Sequence, residues 1–190
     1  MKKRTLFLSC LLALVLSTAA LAADYTDVPA DSWARESIDK AAEHGLMNGT
    51  SASTFSPLMT TDRAMIVTIL YHLEGEPAVT GTSAFSDVAD GQWYTDAVIW
   101  AADNGIVTGY DTGAFGPSDT VTREQMAAIL YRYASYKGYD VTASADLSGY
   151  ADQAQISAYA LTAMQWANAE GLITGTSDST LTPGGSATRA

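Results

Sequence analysis

The stretch Ala101-Ala102-Asp103-Asn104-Gly105-Ile106-Val107-Thr108-Gly109, continued by Phe115-Gly116-Pro117 and Thr122-Arg123-Glu124-Gln125, decides the fold. Laid over the residues 60 positions earlier it needs no gap: Ala41-Ala42, Gly45, Gly49, Phe55, Pro57 and Arg63 fall into place. Working outward, Asp27-Val28 matches Asp87-Val88, Trp33 matches Trp93, and Ile69-Leu70-Tyr71 matches Ile129-Leu130-Tyr131. So many identities at one offset mark an internal repeat. A third copy starts near Leu147, with Tyr150-Ala151-Asp152 standing for Phe85-Ser86-Asp87 and Trp166 for Trp100. Gly171, Gly175, Leu181, Pro183 and Thr188-Arg189 follow in order, and one inserted residue near Ala154 absorbs the change of offset. The repeats span 24–83, 84–143 and 146–190, the third one incomplete.

Each repeat reads as helix, loop, helix. In the second, Tyr94, Ala97, Val98 and Ala101 recur at helical spacing, and Gly105 is placed to stop the helix in a left-handed conformation. The residues between Gly109 and Pro117 are rich in Gly, Asp and Thr and form a loop. Thr122 with Gln125 three residues on is a capping box, opening a helix whose apolar face is Met126, Ile129, Leu130 and Tyr133. In the first repeat Asp62 caps, and Ile66, Ile69, Leu70 and Leu73 form the stripe. Segments 74–81 and 137–145 read as linkers. The fold class is all-α. A unit of roughly sixty residues is marginal alone, so the copies must share a core. The sequence therefore predicts that the helices opening at Asp62 and Thr122 pack on one another, each with a shorter helix outside. The helix expected after Arg189 lies beyond Ala190. Either the sequence is a fragment, or the long helices keep partly uncovered apolar faces that favour self-association.

Composition bounds the function. The 190 residues hold 10 Lys and Arg against 21 Asp and Glu, a formal charge of −11. Sequence-tolerant binding to nucleic acid needs basic surface to displace counterions from phosphates, and this balance excludes it. A hydrophobic content of 47% excludes a disordered acidic tail. Lys2, Lys3 and Arg4, the apolar run 6–16 and Ala20-Leu21-Ala22 have the order of a secretory signal peptide over 1–22. Cleavage there leaves 7 cations against 21 anions, a formal −14, and removes Cys10, the one cysteine. Disulfides and thiolate chemistry are then unavailable. No later apolar run is long enough to cross a bilayer, so an exported product without a membrane span is expected.

Three of the seven remaining cations, Arg63, Arg123 and Arg189, share one repeat position, directly after a helix-capping residue. The first turn of a helix disfavours a cation, so their recurrence needs a reason. One reading is an ion pair with a local carboxylate, Asp27 or Asp87, the stem covering apolar surface. The other is an anion site in which guanidinium and free helix amides hold a ligand carboxylate or phosphate. Trp33 and Trp93, replaced by Tyr159 in the third repeat, read either as core or as platforms for a sugar face. Gly49-Thr50 and Gly175-Thr176 offer loop amides to a polar ligand and are equally explained as turns. Enzyme signals are thin. His44 and His72 read as surface residues, no H-E-x-x-H, G-x-S-x-G or phosphate loop occurs, and Asp111-Thr112-Gly113 lacks the oxygen ladder of a calcium loop. No two carboxylates stand out as a hydrolytic pair. The expectation is a binding protein with neither catalytic residues nor cofactor nor metal.

The recurring pattern, aromatic-x-Asp-Val, Trp, Ala-Ala-x-x-Gly-x-x-x-Gly, Phe-x-Pro, then Thr-Arg, resembles the S-layer homology family over 24–190. The resemblance implies a pseudo-threefold spindle with one central helix per repeat and ligand grooves between adjacent repeats. It also implies noncovalent binding of a secondary cell-wall polysaccharide, often carrying ketal-linked pyruvate, or in some bacteria of a modified peptidoglycan. The family's Ile-Thr-Arg-Ala-Glu motif becomes Val121-Thr122-Arg123-Glu124-Gln125, Thr61-Asp62-Arg63-Ala64-Met65 and Ala187-Thr188-Arg189-Ala190. On this resemblance the three arginines engage the polymer's negative charge. Arg123 with Trp93 and the loop near Gly109 forms one site, and Arg63 with Trp33 and Gly49 a second. Asp27 and Asp87 stand beside them as candidate site residues. The implied location is the cell wall or S-layer. The cargo beyond Ala190 is either an array-forming S-layer region or the catalytic domain of a secreted glycan hydrolase.

Overall fold

The computed structural model describes residues 25–190, and the signal peptide expected over 1–22 lies outside the described residues. Five α-helices carry the architecture: α1 (Arg35–Glu43), α2 (Arg63–Leu73), α3 (Thr95–Asp103), α4 (Arg123–Tyr136) and α5 (Leu161–Ala169). A single 3-10 turn, Gln153–Gln155, precedes α5. Extended pairing among the described residues is limited to isolated bridges, such as Thr60 with Thr188 and Thr122 with Ser186. The chain is helix-rich with almost no strand, as an all-α reading requires.

The helix ends form where local chemistry dictates. Asp62 accepts a hydrogen bond from the Met65 amide at 2.7 Å and caps α2. At α4 the Thr122 hydroxyl accepts from the Gln125 amide while the Gln125 side chain accepts from the Thr122 amide, a complete capping box. The short helices α1, α3 and α5 all stop at a glycine with positive φ: Gly45 at 67°, Gly105 at 68° and Gly171 at 70°. Without a Cβ these residues enter the left-handed region at little cost and turn the chain out of the helix.

Packing departs from the expectation of two long helices side by side. The helix contacts run from one repeat to the next: α2 lies on α3, and α4 lies on α5. Ile66, Val67, Leu70 and Tyr71 of α2 meet Ala97, Val98, Trp100 and Ala101 of α3, and from α4 only side chains such as Ile129 and Tyr133 reach this cluster. A second cluster joins Ala127, Ala128 and Ala134 of α4 to Ala163, Met164 and Trp166 of α5. The buried stripe of α2 is accordingly turned from the expected one. Val67 and Tyr71 are inside, while Leu73 is 52% exposed. On the long helices, α3 packs over the apolar face of α2 and α5 over that of α4. Nor is 74–81 a plain linker. Glu74 accepts hydrogen bonds from Tyr133 at 2.5 Å and from Lys137 at 3.0 Å, tying the end of α2 to the end of α4.

The three repeats meet in a ring of backbone hydrogen bonds. Val121 donates to the Thr61 carbonyl at 2.9 Å, Ala187 to Val121 at 2.8 Å, and Thr61 to Ala187 at 2.9 Å. These residues occupy one position in the three copies, each immediately before a helix cap or its equivalent. This ring places Arg63, Arg123 and Arg189 around a common centre, and the site follows from it.

Candidate ligand-binding site

Each repeat arginine reaches forward into the next copy. Arg63 Nε donates to the Phe115 carbonyl at 2.7 Å and Nη2 to the Thr108 carbonyl at 3.1 Å. Arg123 repeats this on Leu181 at 2.8 Å and Thr174 at 2.5 Å. Arg189 does the same on the first repeat, reaching Phe55 at 3.0 Å and Asn48 at 2.6 Å. The expected groupings are therefore shifted by one repeat. Arg63, not Arg123, stands at the Gly109 loop, and Arg189, not Arg63, at the Gly49 loop.

Neither reading of the arginines holds as first stated. Among the described residues none of the three makes a salt bridge; their fixed bonds go to carbonyl oxygens. The helix amides expected to be free for an anion are occupied. Arg63 N donates to Asp119 O and Ala64 N to Pro117 O, and Arg123 N and Glu124 N donate likewise to Gly185 O and Pro183 O. Burial pulls the pKa of all three guanidinium groups down from its ordinary level. They stay charged nonetheless, because a guanidinium does not lose its proton in proteins.

The aspartates serve the loops. Asp27 accepts from the Phe55 and Ser56 amides, Asp87 from Phe115 and Gly116, and Asp152 from Leu181 and Thr182. Bonds from the Phe55 and Leu181 amides, respectively, do most to hold Asp27 and Asp152 below the usual carboxylate range. At Asp87 burial pushes upward, but the Phe115 and Gly116 amides outweigh it and the net shift is downward. The loop glycines are kept small by close packing. A Cβ on Gly109 would stand 2.5 Å from the Phe85 ring, and one on Gly49 2.5 Å from the Tyr25 ring. The Gly49 amide is also spent on the Tyr25 hydroxyl at 2.9 Å.

One of these junctions opens into a cavity of about 340 Å³. Arg63 forms one wall, Thr108, Gly109, Tyr110 and Asp111 of the second loop another, Gln125, Ala128, Ile129 and Arg132 of α4 a third, and Tyr159 completes it. Three repeats thus contribute to one site. The Arg63 guanidinium lies over the Tyr110 ring at 4.9 Å and the Phe115 ring at 4.7 Å, which holds its planar face in place. Arg132 is near enough for its charge to oppose that of Arg63, and among the described residues its side chain has neither ion pair nor hydrogen bond. Tyr159 is positioned by Glu124, which is 9% exposed and accepts from the Ser157 amide and hydroxyl at 2.8 Å and from the Tyr159 hydroxyl at 3.4 Å. Burial first, then the Glu124 charge, pushes the Tyr159 phenol up to about 12, so it stays a neutral donor.

Of the expected site residues, Arg63 and Gly109 line this cavity together; Arg123, Arg189, Trp33, Trp93, Asp27, Asp87 and Gly49 do not. Trp33 and Trp93 are 84% and 61% exposed, so they are not core rings. Sequence reasoning passed over Arg132, Tyr110 and Gln125. The available signal at Arg132 was a lone cation directly after the apolar run Ala127-Ala128-Ile129-Leu130-Tyr131, aligned with His72 of the first repeat. Among the described residues no group of three His, Cys, Asp or Glu side chains converges as a metal site, and no helix is long and apolar enough to cross a membrane.

Comparison with known proteins finds a domain family in each of the three repeats. The family model for the S-layer homology domain matches residues 24–64, 84–127 and 149–190. An endoglucanase of Bacillus sp. (strain KSM-635) is 33% identical over 165 residues, covering 87% of this chain and 17% of its own length. The surface-layer 125 kDa protein of Lysinibacillus sphaericus is 30% identical over 163 residues, covering 84% of this chain and 13% of its own. An amylopullulanase of Thermoanaerobacterium thermosulfurigenes is 30% identical over 84% of this chain and 8% of its own. The chain thus spans less than a fifth of the length of these relatives, and hydrolases and a surface-layer protein share the same segment. Three matched repeats, each contributing its arginine to the loop of the next, place the chain in the S-layer homology domain family.

Proposed function

We propose that this chain is a noncovalent, non-catalytic binding module that holds an exported protein on the bacterial cell wall by gripping an anionic secondary wall polysaccharide. The observation that carries the reading is the pair of guanidinium groups, Arg63 and Arg132, in one cavity with no carboxylate salt-bridged to either among the described residues. In a chain of formal charge −11, two guanidinium groups at one cavity, with Asp111 the only carboxylate in its lining and neither guanidinium salt-bridged among the described residues, favour an anion from outside. Tyr110 and Tyr159 line the cavity and offer their rings to a sugar. A carboxylate such as a ketal-linked pyruvate would sit between the guanidinium groups. The backbone ring through Thr61, Val121 and Ala187 supports the family's three-pronged arrangement, with grooves at the junctions. The relatives, hydrolases and surface-layer proteins alike, are consistent with one anchoring role serving different cargo.

Arg132→Ala is the test, because Arg132 makes no described structural bond, whereas Arg63 holds two loop carbonyls. Loss of a charge-assisted contact worth about 1.5–3 kcal/mol weakens cosedimentation with purified sacculi roughly tenfold or more, with an unchanged melting temperature. Binding equal to that of the parent, or binding that survives removal of the anionic polymer from the sacculi, would show the reading to be wrong.

A further inference from the structure

The cavity does not end at Arg132. That residue also lines a second, more open cavity of about 280 Å³, whose other walls are Asn104 and Gly105 at the end of α3 and Tyr131, Ser135 and Tyr136 on α4. Arg132 is the one residue common to both, so its side chain borders each cavity. Residues 131, 132, 135 and 136 fall at helical i, i+4 spacing and form one continuous strip.

The chemistry of the outer cavity is that of a sugar platform. Its phenol rings are set by buried indoles: Tyr131 meets Trp166 edge-on at 5.5 Å and 76°, and Tyr136 meets Trp100 at 5.8 Å and 90°. Both indoles are 5% exposed, so the rings are held before a ligand arrives and little ordering entropy remains to be lost. Asn104 spends its amide nitrogen on the Trp100 carbonyl at 2.8 Å, which fixes the side chain and leaves its oxygen as an acceptor for a hydroxyl. None of the outer lining residues is acidic, in a chain with 21 acidic residues. The surface therefore tolerates a negatively charged chain and offers one guanidinium to it.

We infer that the outer cavity is a second saccharide subsite, binding the sugar unit next to the anionic one held between Arg63 and Arg132, with Arg132 shared by both units. The inference rests on the wall-polysaccharide reading and extends it: the module reads a length of polymer and not a terminal group alone. A ligand confined to the inner cavity would leave two rigid tyrosines and a fixed asparagine without a task.

Calorimetric titration distinguishes the two levels. The probes are a methyl hexoside bearing a cyclic pyruvyl ketal, as one unit, and size-fractionated wall-polymer fragments of two and three units carrying the same terminal group. The parent chain binds the two-unit fragment about five- to tenfold tighter than the one-unit probe, the gain expected from one added aromatic–sugar contact. Ser135→Trp, at an exposed helical position, fills the outer cavity; it abolishes that gain and leaves one-unit affinity unchanged. Tyr136→Ala does the same, with a thermal melt to verify the fold. If the parent gains nothing from the second unit, or Ser135→Trp keeps the gain, the outer subsite is refuted and the wall-binding reading stands. If no probe of any length binds, both fall together.

Discussion

At the scale of the residue, the molecule turns on one peptide unit used from both sides. The Gly116 amide donates to Asp87 of its own repeat, while the Phe115 carbonyl, the other end of the same peptide group, accepts from Arg63 of the preceding one. The Phe55–Ser56 and Leu181–Thr182 peptide groups stand in the same arrangement, the first between Asp27 and Arg189 and the second between Asp152 and Arg123. Opposite charges are thus linked through a backbone dipole and not by direct contact. The sequence shows the Asp and the Arg recurring but not this link, because a side-chain pattern says nothing of backbone partners. The second residue of the group carries strain in two copies. Ser56 and Thr182 hold positive φ of 60° and 52° where the second repeat has Gly116. Their amides are nonetheless bonded by Asp27 and Asp152, and their hydroxyls by Thr50 and Thr176 at 2.6 Å. All three aspartates titrate below the usual carboxylate range. A lowered folded value adds stability that is complete above the unfolded value near 4 and is lost as pH falls through the folded one. Thermal melts should therefore hold steady from pH 7 to about 5 and fall steeply below about 4. Asp87→Ala leaves the Phe115 and Gly116 amides without their acceptor. It should cost about 1 kcal/mol at pH 7, or about 2–4 °C in Tm, because the carboxylate is partly solvated. Its melts should also show a shallower acid decline than the parent; an equal decline would remove Asp87 from the account.

At the scale of the element, the caps were legible and the partners were not. Asp62, the Thr122–Gln125 box and the glycine stops at 45, 105 and 171 are local chemistry, complete within a few residues. Which helix covers which cannot be read from a 3.6-residue period. The α2 run Ile66-Val67-Thr68-Ile69-Leu70-Tyr71-His72-Leu73 is so apolar that two stripes satisfy it, and α3 selects the one through Val67 and Tyr71. Docking on the next repeat also explains an inequality among the short helices. Ala101 and Ala167 are fully buried beneath α2 and α4, and Val107 and Ile173 nearly so. Their first-repeat counterparts Ala41 and Met47 are only half-buried, and among the described residues α1 has no helix packed on it. Its cluster is small: Tyr25, Val28, Ala34, Ile38 and Phe55, with Ala190 at its margin. Amide exchange follows the least costly opening that frees each hydrogen bond. The α1 amides should accordingly exchange at least tenfold faster than those of α3 and α5, measured by deuterium uptake at peptide resolution. Equal protection of the three helices would mean that α1 is held by something other than this cluster.

At the scale of the whole molecule, closure and charge act together. Arg189 donates to Phe55 and Asn48, more than 130 residues away in sequence, and Arg189 N and Ala190 N donate to Met59 and Pro57. The last residues of the described chain are thereby fastened to its first loop, and the repeats form a ring and not an open row. In that ring the three repeat arginines stand at the junctions, in a chain whose 21 acidic residues outnumber its 10 basic ones. An anionic polymer therefore meets opposing fields: repulsion from the whole body at long range and attraction from Arg63 and Arg132 at contact. Salt separates them. Raising ionic strength from about 0.01 M to 0.15 M shortens the screening length from about 30 Å to about 8 Å, which removes most of the distant repulsion and less of the attraction inside a half-buried cavity. Association with immobilised anionic wall polymer should thus become several-fold faster over that range, while dissociation also quickens as the Arg132 contact weakens. A basic binder of polyanions behaves the opposite way in its association rate. Surface-plasmon traces across a salt series read both rates, and an association rate that falls with salt would mean that the polymer senses the local cations before it senses the acidic body.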